Sequence, residues 1–164
     1  MSAFPEPFSF VALDACHQQM QMHLAELAAL ARQMEASGVD AKAQRQAGAI
    51  EAFFSSTARH HHAEEEKNVF PDLLASGNTE LVAAVQALQQ DHGWIEENWI
   101  ELGPQLRAIA LGNNWFDTAD FVHGVEVFLT LCRDHIALEE SLVYPEAKAR
   151  LAQTMANRAK RAPG

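Results

Sequence analysis

Two stretches of the chain repeat one arrangement of histidine, glutamate, an aromatic residue and proline. His61 is followed by Glu65, Glu66, Phe70 and Pro71. His135 is followed, at the same spacings, by Glu139, Glu140, Tyr144 and Pro145. A His and a Glu four apart on a helix point the same way, one turn apart. Neutral imidazoles with carboxylates suit first-row divalent metals. Two such pairs on facing helices are a way to build a two-metal site. Neither residue type belongs in an apolar core unless something pairs with it.

Positioning such a site requires helices, and the sequence supplies them. Ala, Leu, Glu and Gln dominate, and sustained alternation is absent. Three breaks divide the chain: Ser37-Gly38-Val39-Asp40, Ser76-Gly77-Asn78-Thr79, and a longer loop from Gly112 to Thr118. Each combines a helix-ending Gly with a residue that can cap the next helix. The spacing predicts four helices at roughly 9–36, 41–75, 79–111 and 118–160. Short loops make sequential helices antiparallel, so the expected fold is an all-α, up-down-up-down four-helix bundle. It forms a single domain over 1–164, with a bundle core at about 9–150 and a basic end at 151–164. Gly103-Pro104 is expected to kink or break the third helix.

Each helix carries one His on its inward stripe. Helix one presents Leu13, His17, Met20 and Leu24. Helix two presents Ile50, Phe54, Thr57, His61 and Glu65. Helix three presents Leu88, His92, Ile95 or Glu96, and Trp99. Helix four presents Phe128, Cys132, His135, Glu139 and Leu142. Counted from the turns at about 1.5 Å per residue, the four imidazoles lie at nearly one level. His61 has His60 and His62 beside it, each also followed by a Glu four residues on. Successive positions differ by about 100°, and the stripe selects His61, leaving His60 and His62 as a polar flank or rim. His23 and His123 are out of phase and expected at the surface or rim, and Phe70 and Tyr144, which end the signature segments, are expected to pack the bundle end. Four His with two bridging Glu would give each metal two nitrogens and two oxygens, with room for water or a small ligand. That set suits a non-haem di-iron site and also admits manganese or zinc.

Composition narrows the alternatives. A chain of 164 residues with formal net charge −10 is long enough for one sizeable core. Its charge argues against nucleic acid and anionic membranes as partners. Two cysteines, Cys16 and Cys132, form no CxxC and fit buried small hydrophobes in a reducing compartment. The first residues, Met1 to Glu6, have neither the basic nor the apolar region of a signal peptide, so the expected location is cytoplasmic.

Taken together, Leu13-Asp14-Ala15-Cys16-His17, Asp91-His92 and the two His-Glu-aromatic-Pro segments resemble the hemerythrin-like (HHE cation-binding) family, from about Phe10 to Tyr144. The resemblance implies a four-helix bundle with two iron ions, oxo- or hydroxo-bridged, that binds O2, NO or related ligands. Its implied metal ligands are His17, His61, Glu65, His92, His135 and Glu139. The family's oxygen carriers have a second His one turn after the helix-three His; here that position is Glu96. This leaves Glu96 as either a third carboxylate ligand or an acceptor for a ligand His. It also brings the set closer to the family's di-iron repair proteins, although the small cysteine-bearing N-terminal domain those proteins usually carry is not expected here. The carriers use a carboxylate five residues after the helix-four His, which would select Glu140, whereas symmetry with His61 and Glu65 selects Glu139.

The leading functional reading is a di-iron protein that binds a small diatomic ligand, O2 or NO, for sensing, storage or scavenging. The alternative is an enzyme or iron donor in nitrosative or oxidative stress: NO or peroxide reduction, or iron–sulfur cluster repair. A third reading is a metal-free helical interaction module.

Overall fold

A computed structural model describes residues 8–161. The segment in which no signal peptide is expected, and the last three residues of the basic end, lie outside the described residues. Among those described, all regular structure is helical. In chain order the elements are α1 (Phe10–Ala36), α2 (Ala41–Ala52), a π-helical turn π1 (Phe53–Thr57), α3 (Ala58–Asn68), α4 (Phe70–Leu74), α5 (Thr79–Ala110), α6 (Thr118–Leu138), a second π-helical turn π2 (Glu139–Val143), and α7 (Tyr144–Arg161). No described helix is long and apolar enough to cross a membrane.

Side-chain caps start the helices that follow loops. Asp40 accepts from the Ala43 amide at 2.8 Å, Asn78 from that of Leu81 at 3.1 Å, and Asp117 from that of Asp120 at 3.0 Å. Each satisfies an amide that has no partner within its helix. Gly38, Gly77 and Gly112 turn the chain after α1, α4 and α5 with φ of 74–80°, a region that favours glycine.

The helices expected at 41–75 and 118–160 are each interrupted. A π turn inserts one residue and shifts the inward face. Thr57, expected on the inward stripe, is therefore exposed, and Ala58 is buried in its place. Beyond π2, Leu142 is only partly buried, while Val143 and Tyr144 enter the core. The expected break at Gly103-Pro104 does not occur, since α5 runs through Pro104 to Ala110. Pro104 denies a hydrogen bond to the carbonyl of Ile100, but Ile100 is 66 % exposed and water can replace that bond. Gly103 has a packing role, because a Cβ there would lie 3.2 Å from the Trp99 indole.

α1 packs against α2 and α6, and α5 also packs against both. The apolar residues form two clusters. One contains Met20, Leu24, Phe54, Ala58, Ile95, Trp99, Phe128 and Ile136; the other contains Leu13, Val69, Phe70, Leu88, Val143 and Tyr144. Fully burying a Leu- or Phe-sized side chain contributes about 1.5–3 kcal/mol. Each long helical stretch passes from one cluster to the other, with its inward His at the crossing. Leu13 precedes His17 and Met20 follows it. Ala58 precedes His61, and Val69 comes after Glu65. Leu88 and Ile95 flank His92. Cys132 precedes His135, and Val143 comes after Glu139. The polar layer thus lies between two apolar ones.

Candidate metal centre

The buried polar residues His17, His61, Glu65, His92, His135 and Glu139 occupy this layer, and none is more than 9 % exposed. α1 supplies His17, α3 supplies His61 and Glu65, α5 supplies His92, α6 supplies His135, and π2 begins with Glu139. Their ligand atoms, together with that of His62, form two groups that share Glu65. One is His17, His61, Glu65 and Glu139; the other is His62, Glu65, His92 and His135. In each group the atoms lie within 4.8 Å of one another. Donors around one ion at roughly 2.1 Å are at most about 4.2 Å apart, so an inward adjustment of a few tenths of an ångström would seat an ion.

Each carboxylate reaches imidazoles of both groups. Glu65 Oε1 lies 3.5 Å from His61 Nε2 and 3.3 Å from His92 Nε2. Glu139 Oε1 lies 3.6 Å from His17 Nε2 and 2.8 Å from His135 Nε2. These approaches lack hydrogen-bond geometry. The Nε2 atoms of His17, His92 and His135, Glu65 Oε1 and both oxygens of Glu139 are buried with no hydrogen-bond partner among the described residues. Orphaned buried polar atoms each cost on the order of 1–3 kcal/mol, more when charged. A set converging on shared points is the arrangement a cation would satisfy.

Outer carboxylates orient the rings. His92 Nδ1–H donates to Glu66 Oε1 at 2.8 Å, and His135 Nδ1–H to Asp91 Oδ2 at 3.3 Å. His17 Nδ1 lies 3.3 Å from Glu140 Oε1, near it but without hydrogen-bond geometry. A carboxylate on one ring nitrogen fixes the tautomer and turns the other nitrogen, as a lone pair, toward the centre. Glu140, 54 % exposed, thus sits outside the layer while Glu139 is fully buried.

Electrostatics keep several groups in their ligating form. Burial pushes His61 down to about 4, despite the pull of Glu65. Burial likewise lowers His17, with Glu65 and Glu140 opposing it. His62 is held well below its ordinary value by burial and by the neighbouring His92 and His135. For His92 burial pulls down, but Glu65 and Glu66 outweigh it and the ring is raised. Burial would raise Glu65, but His92, His61 and His135 hold it below the usual carboxylate value. Burial raises both thiols, Cys16 to about 11, so neither is a ready thiolate.

Three residues differ from their expected places. Glu96 belongs to neither group: its carboxylate accepts from Arg59 Nε at 2.7 Å and Nη2 at 3.0 Å, at the surface. His62, expected on the rim, stacks on His92 with centroids 4.2 Å apart. Tyr144, expected as packing, donates its hydroxyl to Glu65 Oε2 at 2.9 Å, lies 3.2 Å from His61 Nε2 and stacks on His17 at 4.9 Å. The repeated aromatic of the two signatures was the signal for Tyr144, because its counterpart Phe70 likewise stacks on a site ring, His92, at 5.6 Å.

A cavity of about 20 Å3 abuts His62 and His135, walled by Met20, Phe54, Trp99 and Phe128, with Arg59 and Glu96 on its partly exposed side. That space suits one water or a diatomic molecule. A cleft of about 340 Å3 opens beside His61, at Cys16, His60 and Glu64.

An uncharacterised protein of Haemophilus influenzae is 28 % identical over 130 residues, covering 79 % of this chain and 73 % of its own. No solved structure matches significantly. Residues 10–147, which span every group described above, match the hemerythrin HHE cation binding domain, and the chain belongs to that family.

Proposed function

We propose that this chain is a single-domain non-haem di-iron protein that holds a small neutral ligand, O2 or NO, for sensing, storage or scavenging. The observation that carries the reading is the pair of donor groups sharing Glu65, beside an apolar cavity of diatomic size. His17, His61, Glu65, His92, His135 and Glu139 are the proposed ligands. Imidazole with carboxylate suits iron(II) and iron(III), and manganese or zinc would find the same donors acceptable. Bound iron would supply reversible electron donation to the ligand. The protein's part is to fix the imidazoles, neutralise the ions with two carboxylates and exclude bulk water from the apolar side.

The scaffold proposed is an up-down-up-down bundle of four rods: α1, α2 to α4, α5, and α6 to α7. Its support is the order of the two apolar clusters, which reverses from each rod to the next. Glu96 was the residue that favoured turnover or iron donation. Its pairing with Arg59 removes that motive and leaves the binding reading ahead. The acidic chain is proposed to act without nucleic acid or a membrane, in a reducing compartment such as the cytoplasm.

The test is metal analysis of protein from iron-replete cells, followed by anaerobic reduction and titration with O2 and with NO. About two irons per chain, with visible bands that appear on ligand addition and reverse on its removal, are expected. A metal-free protein would overturn the reading. Continuous consumption of NO or peroxide with an electron donor would replace binding by catalysis.

A further inference from the structure

We propose that His62 is a nitrogen ligand, so that the two metal positions are unequal: His17 and His61 at the first, His62, His92 and His135 at the second. This rests on the proposal that the site holds two metals.

Helix geometry permits the assignment. With His61 at 0°, Glu65 falls near 40° and His62 near 100° around α3. Glu65 therefore points between two imidazoles, and one helical turn can serve both positions through the shared carboxylate. The ring spacings agree. Two imidazoles bound at right angles to one ion, at roughly 2.1 Å, have centroids roughly 4.5 Å apart; at 120° the separation is roughly 5.5 Å. The observed separations are 4.2 Å for His62 and His92, 4.8 Å for His92 and His135, and 5.6 Å for His62 and His135. The first position shows 4.8 Å between His17 and His61. The ligand atom of His62 also lies within 4.8 Å of those of Glu65, His92 and His135.

Packing alone does not call for an imidazole here. Most of the cavity wall that His62 shares, including Met20, Phe54 and Ile136, is apolar, and an apolar residue at 62 would extend it. The second signature does so: Ile136, one residue after His135, lines the same cavity and is 1 % exposed.

The experiment compares wild type with His62→Ala, His62→Phe and, as a control, His60→Ala, whose ring is 77 % exposed. Iron per chain, the affinity of each iron and the visible spectrum are measured, with helicity confirming the fold. Both His62 variants are expected to keep the first iron. They should bind the second at least 10–100-fold more weakly, since even loss of a supporting partner costs that much. Added imidazole should restore the spectrum of His62→Ala, and His60→Ala should match wild type. Two tightly held irons in both His62 variants would overturn the proposal. So would retention in His62→Phe with loss only in His62→Ala, since the ring would then be packing. A wild type without paired metal would bring down the di-iron reading and this one with it; paired metal in every variant would bring down this one alone.

Discussion

The segments 61–71 and 135–145 share a signature, yet they contribute to the centre differently. In the first, a regular α-helix carries His61 and Glu65, and the position after His61 is a histidine. In the second, the helix opens into a π turn at the carboxylate, and the position after His135 is Ile136. The aromatic residues differ too. Tyr144, from the second segment, donates to Glu65 of the first; Phe70 has no hydroxyl to offer Glu139. Glu65 therefore has one oxygen satisfied by protein, whereas both oxygens of Glu139 are orphaned among the described residues. Equal spacing in sequence has given one carboxylate partly held by its own protein and one with no hydrogen-bond partner among the described residues.

The largest effect should come from the carboxylates. Glu65→Ala removes a donor common to both groups and should abolish both irons, while Glu139→Ala removes a donor of the first group that also approaches His135 and should lose the first iron and hold the second more weakly. Equal losses by metal analysis would make the segments equivalent and erase the comparison.

Acid should reveal the first segment next, in metal-stripped protein. His61 has a folded pKa of about 4 against 6.5 when free. Between these values the unfolded chain binds more protons, so stability falls as pH drops from 6.5 toward 4 and levels off below. At about 1.4 kcal/mol per pH unit this is on the order of 3 kcal/mol. His17 and His62 shift the same way, and His92, with its raised pKa, opposes them. Denaturant melts across this range should show the fall, and His61→Gln should flatten it; an unchanged slope would refute the assignment.

Tyr144→Phe makes the aromatic positions alike. It should cost about 1.5–3 kcal/mol in the metal-free protein, as a buried bond to a charged acceptor is lost. A neutral result in urea titration would show that Glu65 does not need the hydroxyl. The smallest effect belongs to Glu96→Gln. Its surface pair with Arg59 contributes at most about 1 kcal/mol, and iron content should be unchanged. A lost iron would return Glu96 to the centre.

Much of this was legible in advance. The three Gly-containing loops and their caps were readable because positive φ and N-terminal amides demand particular residues. One His per helix could be read from apolar periodicity. The π turns were not readable, since a single inserted residue leaves no compositional mark; their consequence was the misplaced Thr57 and Leu142. Glu96 was misread because a turn-spaced carboxylate looks like a ligand until Arg59, 37 residues away, is found beside it.

Sequence by itself determined the helical character, the three loops with their caps, and one inward His on each long helical stretch, because these follow from local propensity and a 3.6-residue period. Tertiary structure decided what those groups meet. It placed Tyr144 on Glu65, Glu66, Asp91 and Glu140 against the outer ring nitrogens, and His62 beside His92. These pairings depend on how far each helix is rotated and advanced against its neighbours. That setting comes from packing two apolar clusters around a polar layer, and no single helix contains it.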